Sequence, residues 1–550
     1  MRISVAQLNY HIGNFELNKS LICQAISKAK KAGSDLVIFS ELCISGYPPL
    51  DLLDRYDFIE KCNHTVNEVA AECQGIKAIV GSPTINSRPE GKKLFNSALL
   101  LSEGKILFTA SKALLPTYDI FDEYRYFEPE NRFTVFSLNG MKLAITICED
   151  LWDEQAFDNK FEKNRLYTVS PMEELSKQKP DIIINIAASP FSFKKSLARE
   201  NIFRSKARKY NLPVISVNQT GANTELIFDG ASIIVDPAGE VYKKLPAFEE
   251  SVETFDTDSI ISGSGSGRLE NPDEIALIHK ALVTGIRDYF GKSGLSSAVL
   301  GLSGGIDSAV CLCLAREALG SSKIRSLLMP SRYSSEHSVA DAVELSRRLN
   351  TAYDIISIEK PFTAFEENLA PVFEGMKQDV TEENIQARVR AVLLMAVSNK
   401  FGCILLNTSN KSEAAVGYGT LYGDMAGGLS VIGDVYKTDI YRLAEYINRE
   451  SEIIPENIIN KLPSAELRPD QLDSDSLPEY NILDSILYKY IELQNPPEKI
   501  IQDGADSDTV RKVIRLINYN EYKRYQAPPI LRISSKAFGA GRRMPLVARY

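Results

Sequence analysis

The stretch "AVLGLSGGIDSAVCLCLARE", Ala298 to Glu317, joins one apolar run to another through a Gly/Ser turn. It predicts a strand, a tight turn and a helix. Backbone N–H groups at such a helix N-terminus point toward an incoming anion, so the turn invites a phosphate. The lysine that precedes Ser/Thr in a P-loop is missing, because the order here is Ser303-Gly304-Gly305-Ile306-Asp307-Ser308. The glycines allow close backbone approach, Ser303 and Ser308 add hydroxyl donors, and Asp307 is suited to a magnesium ion bridging phosphate oxygens. Read alone, a bare Ser-Gly-Gly turn is better taken as a Gly-rich cap on a helix.

Downstream, the pattern alternates strand and helix: "KIRSLLMP", "HSVADAVELSRRL", "YDIISIE", "ENIQARVRAVLLMAVSNK" and "CILLNTS". That alternation predicts a doubly wound, Rossmann-like parallel sheet with ligands at the carboxyl ends of its strands. After about Pro463 the chain is rich in Pro and charge and predicts peripheral helices. Upstream, "DSIISGSGSGRLENPDE", Asp258 to Glu274, reads as a flexible linker. The division expected is residues 1–257, a linker over 258–271, and residues 272–550. The first part mixes short β runs with helices over Leu17 to Lys31, Asp57 to Cys73 and Lys194 to Tyr210. Hairpin-like turns at "SEGK" and "DPAGE" require a mixed sheet, and the class expected is a layered α/β sandwich.

The 550 residues carry a net charge of −9, which argues against a general nucleic-acid or anionic-membrane binder. No window reaches bilayer-spanning length, the N-terminus lacks a signal-peptide apolar core, and a cytoplasmic protein is expected. The eight cysteines form no C-x-x-C pair or Cys/His cluster, which argues against structural zinc and a disulfide framework. In the first part, three polar residues each follow an apolar strand: Glu41 after "DLVIFS", Lys112 after "FTAS" and Cys148 in "KLAITICEDLW". Cys148 taken singly reads as a core residue. The adjacent Glu149 and Asp150 look unhelpful, since negative charge disfavours a thiolate.

The octet from Gly301 to Ser308 (Gly301, Leu302, Ser303, Gly304, Gly305, Ile306, Asp307, Ser308) resembles the pyrophosphatase loop of the ATP-pyrophosphatase superfamily. The block Leu405 to Ala444 resembles the NAD synthetase signature within it. The resemblance implies an ATP site that adds Thr408 and Lys437, and magnesium at Asp307 and Glu413. It further implies a deamido-NAD site of Asn384, Arg388, Glu413, Tyr418, Gly419, Thr420, Leu421 and Lys523. The three strand-end residues resemble the Glu–Lys–Cys triad of the nitrilase superfamily, whose fold is an α-β-β-α sandwich. That resemblance implies glutamine contacts at Tyr118, Ser189 and Lys195, and a supplementary acid at Glu123. Together they imply ATP-driven amidation of deamido-NAD by ammonia released from glutamine and passed internally, in a homo-oligomer of at least two copies. The small-molecule substrates implied are ATP, glutamine and deamido-NAD, with no nucleic-acid or membrane partner. The competing readings are another amidotransferase of the same superfamily and a binding protein that keeps the folds without catalysis.

Overall fold

The computed structural model describes residues 1–154, 165–193, 195–263 and 273–548, with the side chains of 195 and 196 outside that description. The chain divides into two compact units, Met1–Asn271 and Pro272–Tyr550.

The first unit contains two six-stranded sheets. One runs in the order Ser251–Asp256, Arg2–Gln7, Leu36–Ile38, Lys77–Ile85, Leu94–Ser102, Lys105–Ser111; the other runs Val241–Lys244, Ile233–Val235, Val214–Asn218, Ile182–Ala187, Met141–Ile147, Phe136–Leu138. Both are mixed. Strands Arg2–Gln7, Leu36–Ile38 and Lys77–Ile85 are parallel, while the "SEGK" and "DPAGE" turns close antiparallel hairpins as expected.

Side-chain alternation explains the layering, because successive residues of a strand face opposite sides. Ile3 and Val5 of one sheet meet Leu143, Ile145, Ile182 and Ile184 of the other in a core between the sheets. Ala6, Val37 and Val80 face outward, under Ile22, Ile26, Cys62 and Val66 of helices Phe15–Lys31 and Tyr56–Glu72. On the opposite outer face, Ile183 and Val214 pack under Met172, Phe203 and Ala207 of Pro171–Ser176 and Lys195–Tyr210. The result is the expected α-β-β-α sandwich. Central strands are covered on both faces and therefore read as continuous apolar runs.

The second unit contains a five-stranded, all-parallel sheet ordered Ala352–Ile355, Ile324–Leu328, Ala298–Gly301, Ile404–Asn407, Leu429–Ser430. The chain enters at the central strand, builds outward to one side, then returns to build the other. The order reverses between Ala298–Gly301 and Ile404–Asn407, and a crevice opens at such a switch point.

Two boundary expectations change. Residues 264–271 of the expected linker lie outside the described residues, as does Lys194 of an expected helix. Thr257–Ile261, however, is helical, and its Ile260 is buried in the core between the sheets, so the first unit extends beyond residue 257. The tail is also more than peripheral. Leu483, Leu487, Val513 and Ile517 share a core with Ala415, Val416 and Tyr436, which flank the crevice.

Two candidate active sites

In the first unit, strands Leu36–Ile38, Lys105–Ser111, Met141–Ile147 and Ile182–Ala187 deliver Glu41, Lys112, Cys148 and Ala188 from their carboxyl ends. Lys112 is fully buried, and its Nζ donates to Glu41 Oε1 at 2.7 Å and to Glu123 Oε1 at 2.9 Å. Glu41 also accepts from Asn96 Nδ2 at 2.7 Å and from the Ala188 N–H at 3.0 Å. Glu123 accepts from the Tyr47 hydroxyl at 3.0 Å. These contacts fix both carboxylates around one ammonium.

Burial and charge set the protonation states. Burial pulls the Lys112 ammonium toward neutrality, but Glu123 and Glu41 outweigh it and hold its pKa well above the ordinary value. Glu123 is pushed up from 4.5 to about 7, first by burial, with Lys112 opposing and Glu41 assisting. Burial, followed by the Glu41 charge, holds the Cys148 thiol well above its ordinary value, and Lys112 opposes that shift. The resting group is therefore a neutral thiol that needs a base at the moment of attack.

Cys148 has φ +43°, a left-handed conformation unusual for a side-chain-bearing residue, at the junction of strand Met141–Ile147 and the short turn Cys148–Leu151. Asp150 holds that junction. Its Oδ1 accepts from the N–H groups of Ala113 and Leu114 at 3.0 and 2.9 Å, and its Oδ2 accepts from Ile147 N–H at 3.0 Å. The residue that looked unhelpful thus ties the Lys112 segment to the Cys148 segment. Burial raises its pKa to about 6, with those N–H groups opposing. Glu149 turns elsewhere and accepts from the hydroxyls of Tyr118 and Tyr167, each at 2.9 Å.

The expected glutamine contacts divide. Tyr118 is occupied with Glu149. Ser189 is half-buried and pinned by Asn218, whose Oδ1 accepts its N–H at 2.9 Å. Lys195 opens helix Lys195–Tyr210, and its side chain lies outside the described residues.

In the second unit, a cavity of about 300 Å³ lies at the carboxyl ends of the parallel strands. Its lining includes Gly301, Leu302, Ser303, Gly305, Ile306, Asp307, Ser308, Thr408, Glu413, Tyr418 and Lys437. Gly304 supports the loop from behind rather than lining the cavity. Its φ is +80°, and a Cβ there would come within 2.2 Å of the Ser338 carbonyl oxygen, so glycine is required on two counts. Ser303 Oγ accepts from Gly305 N–H at 3.2 Å, and Ser308 Oγ donates to Gly305 O at 3.0 Å.

Asp307 accepts from Asn410 Nδ2 at 2.9 Å and from Lys437 Nζ, and the Lys437 ammonium is 3.7 Å from Glu413. Asn410 caps helix Lys411–Val416 by accepting from Glu413 N–H, which fixes Glu413 opposite Asp307. Burial, then Asp307, raises Glu413 to about 8, with Lys437 opposing. Burial opposes the charge on Lys437, but Asp307 and Glu413 more than restore it. With Glu413 raised that far, the extra charge of two carboxylates around one ammonium is met at rest by a proton, which an arriving cation would displace. That donor set fits a magnesium ion, which favours one or two carboxylates plus substrate phosphates. Among the described residues there is no cluster of three or more His, Cys, Asp or Glu positioned for a metal.

Asn384, Arg388 and Lys523 do not line the cavity. They converge on the loop that follows Val416: Asn384 Oδ1 accepts from Thr420 Oγ1 at 2.7 Å, Arg388 Nε donates to Leu421 O at 3.2 Å, and Lys523 Nζ donates to Gly417 O and Gly419 O, each at 2.7 Å. Three residues expected to touch a dinucleotide are engaged with Gly419, Thr420 and Leu421 themselves or their neighbour. The tail adds contacts that short-range patterns miss. Asp473 accepts from the hydroxyls of Tyr418 and Tyr480, and Asp484 from Ser412 Oγ and the Thr438 N–H. Lys411 is buried against Asp434 and Glu492.

Comparison with known proteins covers both units. A carbon-nitrogen hydrolase family model matches residues 2–261, and an NAD synthase model matches residues 278–527. The glutamine-dependent NAD(+) synthetase of Synechocystis sp. is 41% identical over 558 residues, spanning 100% of this chain and 99% of that relative. That of Thermotoga maritima is 40% identical over 586 residues, spanning 100% and 99%. Among solved structures, the glutamine-dependent NAD+ synthetase of Acinetobacter baumannii in complex with ADP is 37% identical, with a TM-score of 0.77 over 99% of this chain and 98% of that one.

Proposed function

The chain belongs to the glutamine-dependent NAD(+) synthetase family, and from that premise we propose which residues do the work in each unit. The reaction converts deamido-NAD, ATP and glutamine into NAD, AMP, diphosphate and glutamate. In the first unit the Cys148 sulfur attacks the glutamine side-chain amide. Glu41 takes the thiol proton and passes it to the departing ammonia, leaving a thioester. Lys112 stabilises the oxyanion of each tetrahedral intermediate, and water releases glutamate. Glu123 holds Lys112 charged and in place. Tyr118, Ser189 and Lys195 are the glutamine-binding candidates.

In the second unit the Ser303–Gly305 turn and the start of helix Ile306–Leu319 receive the phosphates of ATP. Asp307 and Glu413 would hold magnesium, with Lys437 between them; when bound, the metal neutralises charge on the leaving diphosphate. Thr408 completes the nucleotide site. The deamido-NAD site is the loop Tyr418–Leu421, held by Asn384, Arg388 and Lys523. The carboxylate of deamido-NAD takes AMP from ATP, and ammonia then displaces AMP.

The observation that carries the first-unit reading is the buried Glu41–Lys112–Glu123 trio whose charges act on Cys148. Its test is product analysis with Mg-ATP, deamido-NAD and amide-¹⁵N glutamine. Wild type should place ¹⁵N in NAD, and Cys148→Ala should make NAD only from added ammonium. A Cys148→Ala enzyme that still uses glutamine would refute the assignment. Ammonia formed at Cys148 is expected to reach the second unit without entering the solvent pool, so excess unlabelled ammonium should not dilute the ¹⁵N label fully.

Two further readings concern the cell and the assembly. All eight cysteines are free thiols, which suits a reducing, cytoplasmic compartment, and fractionation checks it. Among the described residues no helix is long and apolar enough to cross a membrane. Helix Val380–Phe401 exposes Val392 and Met395, and its neighbours expose Phe365, Val372 and Met376. A second copy of the chain covering this face would form the expected homo-oligomer. Light scattering checks it, with Val392→Glu shifting the assembly toward monomer.

A further inference from the structure

The cavity of the second unit is lined by three basic side chains, Lys437, Lys461 and Arg390. Two of them are already paired. Lys437 is bound to Asp307, and Lys461 lies 2.6 Å from Glu466. Arg390, among the described residues, makes no ion pair. Its hydrogen bond runs from Nε to the Met329 carbonyl oxygen at 3.1 Å. That bond fixes the plane of the guanidinium and leaves its terminal nitrogens for another partner.

The surroundings make an unpaired cation costly there. Ala391, Leu394 and Leu302 line the same cavity, and burial lowers the Arg390 pKa to about 10, with Glu466 and Asp424 opposing. A guanidinium whose nearest carboxylates, Glu466 and Asp424, act on it without forming an ion pair is suited to an arriving anion, because its planar fork matches carboxylate and phosphate oxygens two at a time. The fold also sets Arg390 beside residues that reach the phosphate loop. Met329 follows strand Ile324–Leu328, which is paired in parallel with Ala298–Gly301. A Cβ at Gly301 would lie 3.4 Å from both Met329 Cε and Leu394 Cδ1. The side chains of Met329, whose carbonyl anchors Arg390, and of Leu394, one turn along its helix, therefore both reach Gly301 at the start of the phosphate loop.

We propose that Arg390 is a catalytic residue that binds the oxyanion at the reacting centre: the α-phosphoryl oxygens of ATP, or the carboxylate that attacks them. This rests on the reading of the second unit as the adenylating site. In the step concerned, a carboxylate oxygen forms a bond to the α-phosphorus, the bond from that phosphorus to the bridging oxygen breaks, and diphosphate leaves with the electron pair. Negative charge gathers on the α-phosphoryl oxygens as it does so. Arg390 lines the same cavity as the loop that would hold the leaving diphosphate, so its fork can meet that charge.

The test uses the full-length enzyme with saturating ammonium, so that glutamine hydrolysis does not enter. Turnover, and the separate affinities for Mg-ATP and for deamido-NAD, are measured for wild type, Arg390→Ala and Arg390→Lys. Loss of one oxyanion donor commonly lowers turnover by about a hundredfold or more, and that is the fall expected for Arg390→Ala. Lysine should recover only a fraction, because it lacks the fork, and added guanidinium ion should partly restore Arg390→Ala. Reduced turnover with both affinities intact assigns the α-phosphoryl oxygens; reduced affinity for deamido-NAD assigns its carboxylate. Unchanged turnover and affinities, an effect confined to Mg-ATP affinity, or absence of guanidinium rescue would overturn the proposal. Release of AMP by wild type tests the adenylating site separately, so the two failures are distinguishable.

Discussion

Lys112 lies between Glu41 and Glu123 with none of the three side chains more than 7% exposed, whereas Lys437 lies between Asp307 and Glu413, whose side chains are each 18% exposed. Both trios set one ammonium against two carboxylates. In both, burial pushes one carboxyl up, Glu123 to about 7 and Glu413 to about 8, so each trio meets its excess negative charge with a proton at rest. The second also lines a cavity, so a metal ion and phosphates can reach it and take the place of that proton. On the reading proposed above, similar compositions serve proton transfer in one unit and phosphate chemistry in the other, and access from a cavity makes the difference.

That contrast breaks first at its charged centres. Asp307→Asn should lower NAD formation from either nitrogen source by roughly a thousandfold, the upper range for losing a charge-stabilising group; steady-state rates with glutamine and with ammonium check it. Chelating magnesium should have the same two-sided effect while glutamate release persists, because the sealed trio has no place for a metal. Glu41→Gln should cost about 10²–10⁴-fold in glutamine-driven turnover only, the usual range for a general base.

Smaller effects sharpen the picture. Gly304→Ala meets both a positive φ and the Ser338 carbonyl oxygen, and should cost about 1–3 kcal/mol of stability together with weaker ATP binding, read by thermal melting and calorimetry. The pH dependence has a definite sign. The Glu123 carboxyl rises from 4.5 to about 7 in the fold, so its contribution to stability is complete below pH 4.5 and is lost as pH rises through 7. Glu123→Gln mimics the protonated form. Its melting temperature relative to wild type should therefore increase between pH 5 and pH 8, and a constant difference would contradict the shift.

Much of this was legible because apolar strands are short and end abruptly in the first unit. Glu41, Lys112 and Cys148 each interrupt such a run, and the Gly/Ser turn before Ile306 is equally visible. What stayed hidden depends on contacts across long stretches of chain. Asp150 looked harmful beside Cys148, since no local pattern shows that its carboxylate binds the N–H groups of Ala113 and Leu114. Likewise, Asp484 and Glu492 hold Ser412 and Lys411 from a tail whose composition resembles surface. Resemblance singled out Asn384, Arg388 and Lys523 without revealing that they grip a loop rather than line a cavity. Arg390 escaped notice because an arginine on a long polar helix reads as solvated until its neighbours are known.

The most direct test of the central contrast is one pair of variants assayed with both nitrogen sources. Lys112→Met and Lys437→Met are each compared with wild type for NAD formed from glutamine and from ammonium. Lys112→Met should lose the glutamine-driven reaction and keep the ammonium-driven one, and Lys437→Met should lose both. If Lys112→Met abolished the ammonium-driven reaction as well, or Lys437→Met retained either, the assignment of proton chemistry to the sealed trio and phosphate chemistry to the open one would be wrong.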